Sequence, residues 1–190
     1  MRTPDTILVA VTRIDGGLTM LRVVTAEYEP DGAGGRRKRW EIDPTPEYVA
    51  GIIAKHDWTG PLAPVSWRIV ADDFVDEATD RTFRNAWRDG IGITPDVDMV
   101  KARDIHRDQL RVMRAPLLET LDSEYLRADE TGNTAEKQRI AAVKQLLRAV
   151  TDDPAIEAAQ TPDVLKAVIP ESLKGVTAQD RTVEPTPRGG

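Results

Sequence analysis

An apolar stripe of helical period between residues 97 and 150 constrains the fold of this chain more than any other feature. Its side chains recur at steps of three or four positions, the spacing that places them on one face of an α-helix. The first set is Leu110, Met113, Leu117, Leu121, Tyr125 and Ala128, and the second is Ile140, Val143, Leu147 and Val150. Thr131-Gly132-Asn133 between them is typical of a helix end and restart. The pattern therefore predicts an antiparallel helical hairpin of residues 98–130 and 134–150.

Pro116 lies in the middle of the first predicted helix. Proline removes one backbone donor and crowds the carbonyl group four residues earlier. Because the apolar stripe continues beyond it, we expect a kink near residues 112–115 rather than a break.

The charges of this first helix run against its own dipole, which favours acidic side chains at the start and basic ones at the end. Its first half carries a basic stripe of Arg103, Arg107, Arg111 and Arg114. Its second half carries Glu119, Asp122, Glu124, Asp129 and Glu130. Two explanations stay open. In one, Lys137, Arg139 and Lys144 face the acidic half while Asp152 and Asp153 approach the arginines. In the other, the arginines bind a partner.

The N-terminal part is predicted to form a small β unit. Asp15-Gly16 between apolar arms indicates a hairpin of residues 7–14 and 18–24. Both faces of its first strand carry apolar side chains, so we expect cover from the chain's own helices. Thr45-Pro46 predicts a helix to about His56, and residues 65–70 form a third predicted strand.

The following segment is predicted to close the core of this β unit. Residues 72–77 indicate an exposed acidic turn. Asp80 is the expected N-cap of a helix over residues 81–88, and residues 91–94 form a short predicted strand. Across the whole chain, the residues assigned to the core are Phe83, Trp87, Leu117, Leu121 and Leu147.

Two further pairs of cap and proline, Asp153-Pro154 and Thr161-Pro162, predict short helices after the hairpin. The fold class expected is α+β, with a small N-terminal β unit followed by a long antiparallel helical hairpin and short C-terminal helices. The expected division is a β-rich unit of residues 1–96, a helical unit of 97–170, and an extended tail of 171–190 that has little to bury.

Arg36, Arg37, Lys38 and Arg39 follow a glycine-rich stretch and precede Trp40. Four cations beside an aromatic ring suit a phosphate or an acidic partner. The interpretation favoured is a solvated loop edge. With the arginine stripe, these four residues are the candidate partner-binding residues.

Composition narrows the function classes. The chain has 26 Lys and Arg against 32 Asp and Glu and no cysteine. This acidic balance argues against general nucleic-acid binding, and neither disulfides nor thiolate metal ligands are available. His56 and His106 are the two histidines, and neither belongs to a metal-binding set. The sequence has neither a phosphate-binding glycine loop nor a nucleophile motif, so it predicts no enzymatic activity, no cofactor and no metal. It also predicts a soluble protein that is made in the cytoplasm and does not contact a membrane.

Residues 65–170 resemble small proteins encoded by tailed phages and prophages of α-proteobacteria, a group usually labelled as tail or tail-fibre assembly proteins. The motifs that carry the likeness are Trp67-Arg68-Ile69-Val70, residues 80–87, residues 101–108, Arg114-Ala115-Pro116, Leu121-Asp122, residues 144–148, and Thr161-Pro162 to Pro170. The basic stretch at 36–39 and the tail after Pro170 lie outside the resemblance.

The resemblance implies a structural or protein-interaction component of a bacteriophage virion, associated with the tail or fibre. It would dock onto other phage structural proteins in an oligomeric assembly through the helical hairpin and the tail. The alternative is a tail or tail-fibre assembly chaperone that the mature virion does not retain. A nucleic-acid-binding protein using Arg36 to Arg39 or the arginine stripe is the third hypothesis.

Overall fold

A computed structural model describes residues 6–33, 35–90 and 92–174. The α+β class is confirmed, since an antiparallel sheet is followed by a long helix and shorter helices. The chain divides into two compact units between Asp98 and Met99, two residues after the expected boundary.

The first unit is built on a three-stranded antiparallel sheet. Its elements are β1 (Thr6–Arg13), β2 (Leu18–Val24), β3 (Ala26–Pro30), β4 (Arg36–Glu41), α1 (Pro46–Ala54), β5 (Pro64–Val70), β6 (Trp87–Arg88) and β7 (Asp96–Val97). The sheet order is β2-β1-β5, β3 pairs with β4, and β6 pairs with β7. The predicted first hairpin and third strand are thereby confirmed.

Apolar side chains cover both faces of this sheet. On one face Val9, Val11 and Val23 pack with Val49 and Ile53 of α1. On the other, the buried cluster is Leu8, Ala10, Leu18, Val70, Phe74 and Trp87. The expected helical cover is correct for one face. The second face is covered by a segment that is mostly not helical.

The predicted helix over residues 81–88 is wrong. Asp80 Oδ1 accepts hydrogen bonds from the amide and hydroxyl of Thr82, which forms a local turn instead of an N-cap. A short 3₁₀ helix, Arg84–Ala86, then leads into β6. Phe83 and Trp87 are both buried, so their four-residue spacing reflects burial without an α-helix. The predicted strand at 91–94 is also wrong, because residues 92–94 form a bend and Ile91 lies outside the described residues.

The basic stretch forms strand β4 and is not a loop edge. Its register with β3 places Glu29 opposite Arg37 and Pro30 opposite Arg36. Lys38 is exposed and its Nζ lies 2.8 Å from a carboxylate oxygen of Glu41. The side chains of Arg36, Arg37 and Arg39 lie outside the described part of the structure.

The second unit contains the predicted helical hairpin. Its helices are α2 (Met99–Glu130), α3 (Thr134–Arg148), α4 (Pro154–Ala158) and α5 (Pro162–Ala167), with a 3₁₀ helix at Ala149–Asp152. Gly132 has a φ of +66° in the predicted turn, and the amide of Asn133 donates to the Ala128 carbonyl. Helix α2 continues through Pro116 without a break, and the kink stays a prediction.

Burial in the second unit is concentrated at the end of the hairpin where α3, α4 and α5 meet α2. The large side chains that are fully buried there include Leu110, Leu147, Ile156, Leu165 and Leu173. Leu117 and Leu121 are only half-buried. Residues 171–174 form a helical turn where an extended tail was expected, because Leu173 is buried; residues 175–190 lie outside the described residues.

Candidate docking surface of the second unit

The arginine stripe of α2 lies against the C-terminal ends of the helices that follow. Arg103 donates from Nη2 to the Ala159 carbonyl at 2.9 Å and from Nε to the Ile156 carbonyl at 3.2 Å. Arg114 donates from Nη1 to the Arg148 carbonyl at 2.6 Å. These carbonyls belong to the last turns of α3 and α4, where intrahelical donors run out. The two guanidinium groups therefore act as helix C-caps supplied by a different helix.

Arg107 contacts the following helices through both ion pairs and a hydrogen bond to a backbone carbonyl. It forms an ion pair with Glu157 of α4 and another with Asp104 at 3.0 Å, and its Nε donates to the Thr151 carbonyl at 3.4 Å. The pKa of Arg107 is raised, chiefly by its hydrogen bond to Glu157, with burial acting in the opposite direction. Its positive charge is thus held in place between α2 and α4.

These contacts explain why the charges of α2 oppose its own dipole. In the antiparallel hairpin, the first half of α2 lies beside the C-terminal end of α3, where partial negative charge favours arginine. The second half lies beside the N-terminal part of α3, where acidic side chains are favoured. The prediction that Asp152 and Asp153 are the partners of the arginines is wrong. Backbone carbonyls and Glu157 fill that role, and Asp153 caps α4.

Two of the three predicted cations of α3 form ion pairs across the hairpin with the acidic half of α2. Lys144 pairs with Asp122 and Lys137 with Asp129. Both ammonium groups also lie over the Tyr125 ring, at 5.2 and 5.4 Å from its centroid. Arg139 pairs with Glu136 on its own helix, and it also faces the acidic half of α2 as predicted, since its pKa is raised first by the hydrogen bond to Glu136 and further by the charge of Glu124. Tyr125 thus serves as an apolar platform between two cross-helix ion pairs.

Arg111 is the member of the stripe that stays most available. Its side chain is 52% exposed and pairs with Asp108 on the same helix. Sequence reasoning identified the four arginines but missed the carbonyl partners of Arg103, Arg107 and Arg114. The available signal was the position of residues 147–159, which an antiparallel hairpin must place beside residues 103–114.

We expect Arg103→Ala to lower the free energy of unfolding by about 1 to 3 kcal/mol, because two carbonyl groups at the end of α4 lose a charged donor. The Arg103 side chain is only 15% exposed, so water replaces that donor poorly. Urea denaturation followed by circular dichroism at 222 nm measures the change. Arg111→Ala is the matched control, since it removes an exposed arginine of the same stripe. Equal stability of the two variants would contradict the capping role.

An open apolar groove lies where the second unit's short helices meet the end of α3. Its volume is about 660 Å³ and its lining includes Leu146, Val150, Pro154 and Pro170. The side chain of Leu146 is prominent there, with 63% of the residue exposed. The rim carries the carboxylates of Asp152, Asp153 and Glu171. The groove therefore combines an apolar floor with a largely acidic edge.

Within the described residues, no group of three or more histidine, aspartate or glutamate side chains is placed to hold a metal ion. His106 is buried, and its Nε2 lies 2.8 Å from the Val168 carbonyl, a contact that ties α2 to the end of α5. None of the described helices is long and apolar enough to cross a membrane.

Comparison with known proteins identifies no relative: no family model, no curated protein and no solved structure matches this chain.

Proposed function

We propose that this protein is a structural, protein-interaction component of a tailed bacteriophage virion, associated with the tail or fibre. The assignment to a phage particle rests on the resemblance of residues 65–170 to small tailed-phage proteins. The observation that carries the docking role is the acidic-edged apolar groove of the second unit. The chain is not an enzyme in this proposal, and its partners are other phage structural proteins.

The chemistry of the groove specifies the segment that it binds. Leu146 and Pro154, both exposed, offer an apolar surface to an aliphatic or aromatic side chain. Asp152, Asp153 and Glu171 favour lysine or arginine on either side of that apolar residue. Glu171 also pairs with Lys174, so the exposed Asp152 supplies the least compensated charge. The occupant is a basic segment of a neighbouring subunit with one apolar anchor.

The arginine stripe supports this role indirectly. Arg114 holds the carbonyl groups of Leu147 and Arg148, next to Leu146 in α3. Arg103 and Arg107 hold α4, which begins at the groove residue Pro154. The walls of the groove are thereby fixed before a partner arrives, which reduces the entropy lost on docking.

Mass spectrometry of purified particles tests the proposal, and the expected result is a constant number of copies per virion. Absence of this chain from mature particles would overturn it. If the chain then co-purifies with a fibre protein from lysate, the assembly-chaperone function replaces the structural one.

Leu146→Ala is expected to reduce incorporation into particles by about five- to tenfold, because an exposed apolar anchor at a protein contact contributes on the order of 1 kcal/mol or more. Quantitative mass spectrometry of particles assembled with the variant measures the loss. Val112→Ala is the control, since Val112 is an exposed apolar residue of α2 that does not line the groove. Normal incorporation of Leu146→Ala would show that docking uses another surface.

A further inference from the structure

A second candidate binding site lies in the first unit, in a cleft of about 340 Å³. Small-molecule sites usually span about 300 to 1,000 Å³ and combine an apolar floor with a few polar groups. The floor of this cleft includes Leu18, Met20 and Trp87, and its edge carries Arg13, Arg81 and Arg84. The cleft is thus cationic in a chain whose formal net charge is −6.

The three arginines differ in how their charge is used. Arg13 donates to both carboxylate oxygens of Asp15, each at 3.0 Å, and to the Thr19 hydroxyl at 3.3 Å. Among the described residues, the structure gives no ion pair and no side-chain hydrogen bond to Arg81 or Arg84. Two guanidinium groups therefore border the cleft with their donors available to a ligand.

The backbone that carries these groups is fixed by the fold. The Arg84 amide donates to the Arg81 carbonyl at 3.1 Å, and residues 84–86 form the 3₁₀ helix that leads into β6. Asn85 lines the cleft beside them and adds an amide donor and acceptor. Trp87 is anchored in the buried cluster of the sheet, so its ring is part of a rigid floor.

We propose that this cleft binds a small organic oxyanion attached to a flat apolar body, such as an aryl phosphate or an aromatic carboxylate. Arg81 and Arg84 would bind the oxyanion, because guanidinium groups match the geometry of carboxylate and phosphate oxygens. Met20, which is half-buried, supplies most of the surface for the ring, and Trp87, which is 8% exposed, adds to it. The cationic edge alone would suit a bare inorganic anion, which needs no apolar floor. The presence of both features therefore favours an anion that carries an apolar ring.

This inference is independent of the docking function proposed for the second unit. The groove near Leu146 takes a cationic partner segment, whereas the first unit's cleft takes an anion. If the chain is absent from particles, the proposal for the cleft still stands. If the cleft does not bind anions, the proposal for the docking groove still stands.

Titration of the full chain with phenyl phosphate, benzoate and inorganic phosphate at constant ionic strength tests the proposal. The readouts are the NMR signals of the Trp87 indole N–H and the Asn85 side-chain amide. Both aromatic anions are expected to shift these signals with a Kd of about 1 mM or tighter, and inorganic phosphate is expected to bind at least about tenfold more weakly. The tighter aromatic anion identifies the natural group as phosphate or carboxylate, and either order supports the proposal.

The double variant Arg81→Gln with Arg84→Gln is expected to bind both aromatic anions at least about tenfold more weakly. Both side chains are exposed, so the variant keeps the fold, which the dispersion of its NMR spectrum verifies. Arg88→Gln is the control, because Arg88 pairs with Asp96 at 2.8 Å and does not line the cleft. Unchanged affinity in the double variant, no shift of either signal, or equal affinity for inorganic phosphate would each overturn the proposal.

Discussion

Replacing Leu147 with alanine should lower the free energy of unfolding by about 2 to 5 kcal/mol, the range for truncating a buried leucine. Leu147 is 2% exposed and lies on α3 among the buried side chains that join it to α2 and the short helices. The loss combines the transfer free energy of the side chain with a cavity that rigid neighbours cannot fill. Urea denaturation followed at 222 nm reports it, because the long helices belong to the second unit.

The adjacent residue provides the control for this experiment. Leu146→Ala makes the same chemical change on the same helix, but Leu146 is 63% exposed. We expect a change within about 0.5 kcal/mol there. Similar losses in the two variants would contradict the orientation of α3. The pair also separates functions, since Leu147 serves the fold and Leu146 serves the proposed docking groove.

Periodicity was sufficient to predict the hairpin because its signals agree with one another. The two apolar stripes, the glycine at Gly132 and the N-cap at Asn133 all specify the same turn. Periodicity identifies a face but not how deeply each member of that face is buried. Leu117 and Leu121 share the face with Leu110, yet they are half-buried, since α4 and α5 cover a different part of α2.

The arginine contacts show why side-chain chemistry alone was an incomplete guide. Charge matching predicted acidic partners for the arginine stripe. Glu157 does lie 3.8 Å from Arg103, but the hydrogen-bond acceptors of Arg103 and Arg114 are backbone carbonyls at helix ends. Every residue has a backbone carbonyl group, so the sequence alone does not show which carbonyl groups accept a hydrogen bond. The helix boundaries near Arg148 and Ala159 had to be known before these partners could be assigned.

Short elements of the first unit were harder to predict than the long helices. Phe83 and Trp87 fit one face of a helix over residues 81–88, although a window this short cannot distinguish a helix from a turn and strand. The β3–β4 hairpin was not predicted, because the four consecutive cations at 36–39 lack the alternation of apolar and polar residues that marks a strand. Glu27 and Glu29 on the preceding strand offered a complementary pattern, and the register indeed sets Glu29 opposite Arg37.

Phe74 is a buried side chain within residues 72–77, a segment whose four carboxylates predict exposure to solvent. Asp72, Asp73, Asp76 and Glu77 surround it in sequence and lie at the surface, as the predicted acidic turn requires. Phe74 itself is 2% exposed and packs in the cluster with Val70 and Trp87. The guanidinium carbon of Arg68 lies 5.0 Å from its ring centroid, and Arg68 is held by Asp89 at 2.8 Å. The pKa of Arg68 is raised mainly by its hydrogen bond to Asp89.

Phe74→Ala should therefore lower the free energy of unfolding of the first unit by about 3 to 5 kcal/mol, since it opens a large cavity under the sheet. Tryptophan fluorescence is the selective measurement, because all four tryptophans precede residue 99. Asp73→Ala is the matched control, and we expect it to change stability by less than about 0.5 kcal/mol. A fluorescence midpoint for Phe74→Ala equal to that of Asp73→Ala would place Phe74 outside the core. Because Trp87 shares this cluster and lines the basic cleft, the same loss of packing should also weaken aromatic-anion binding there.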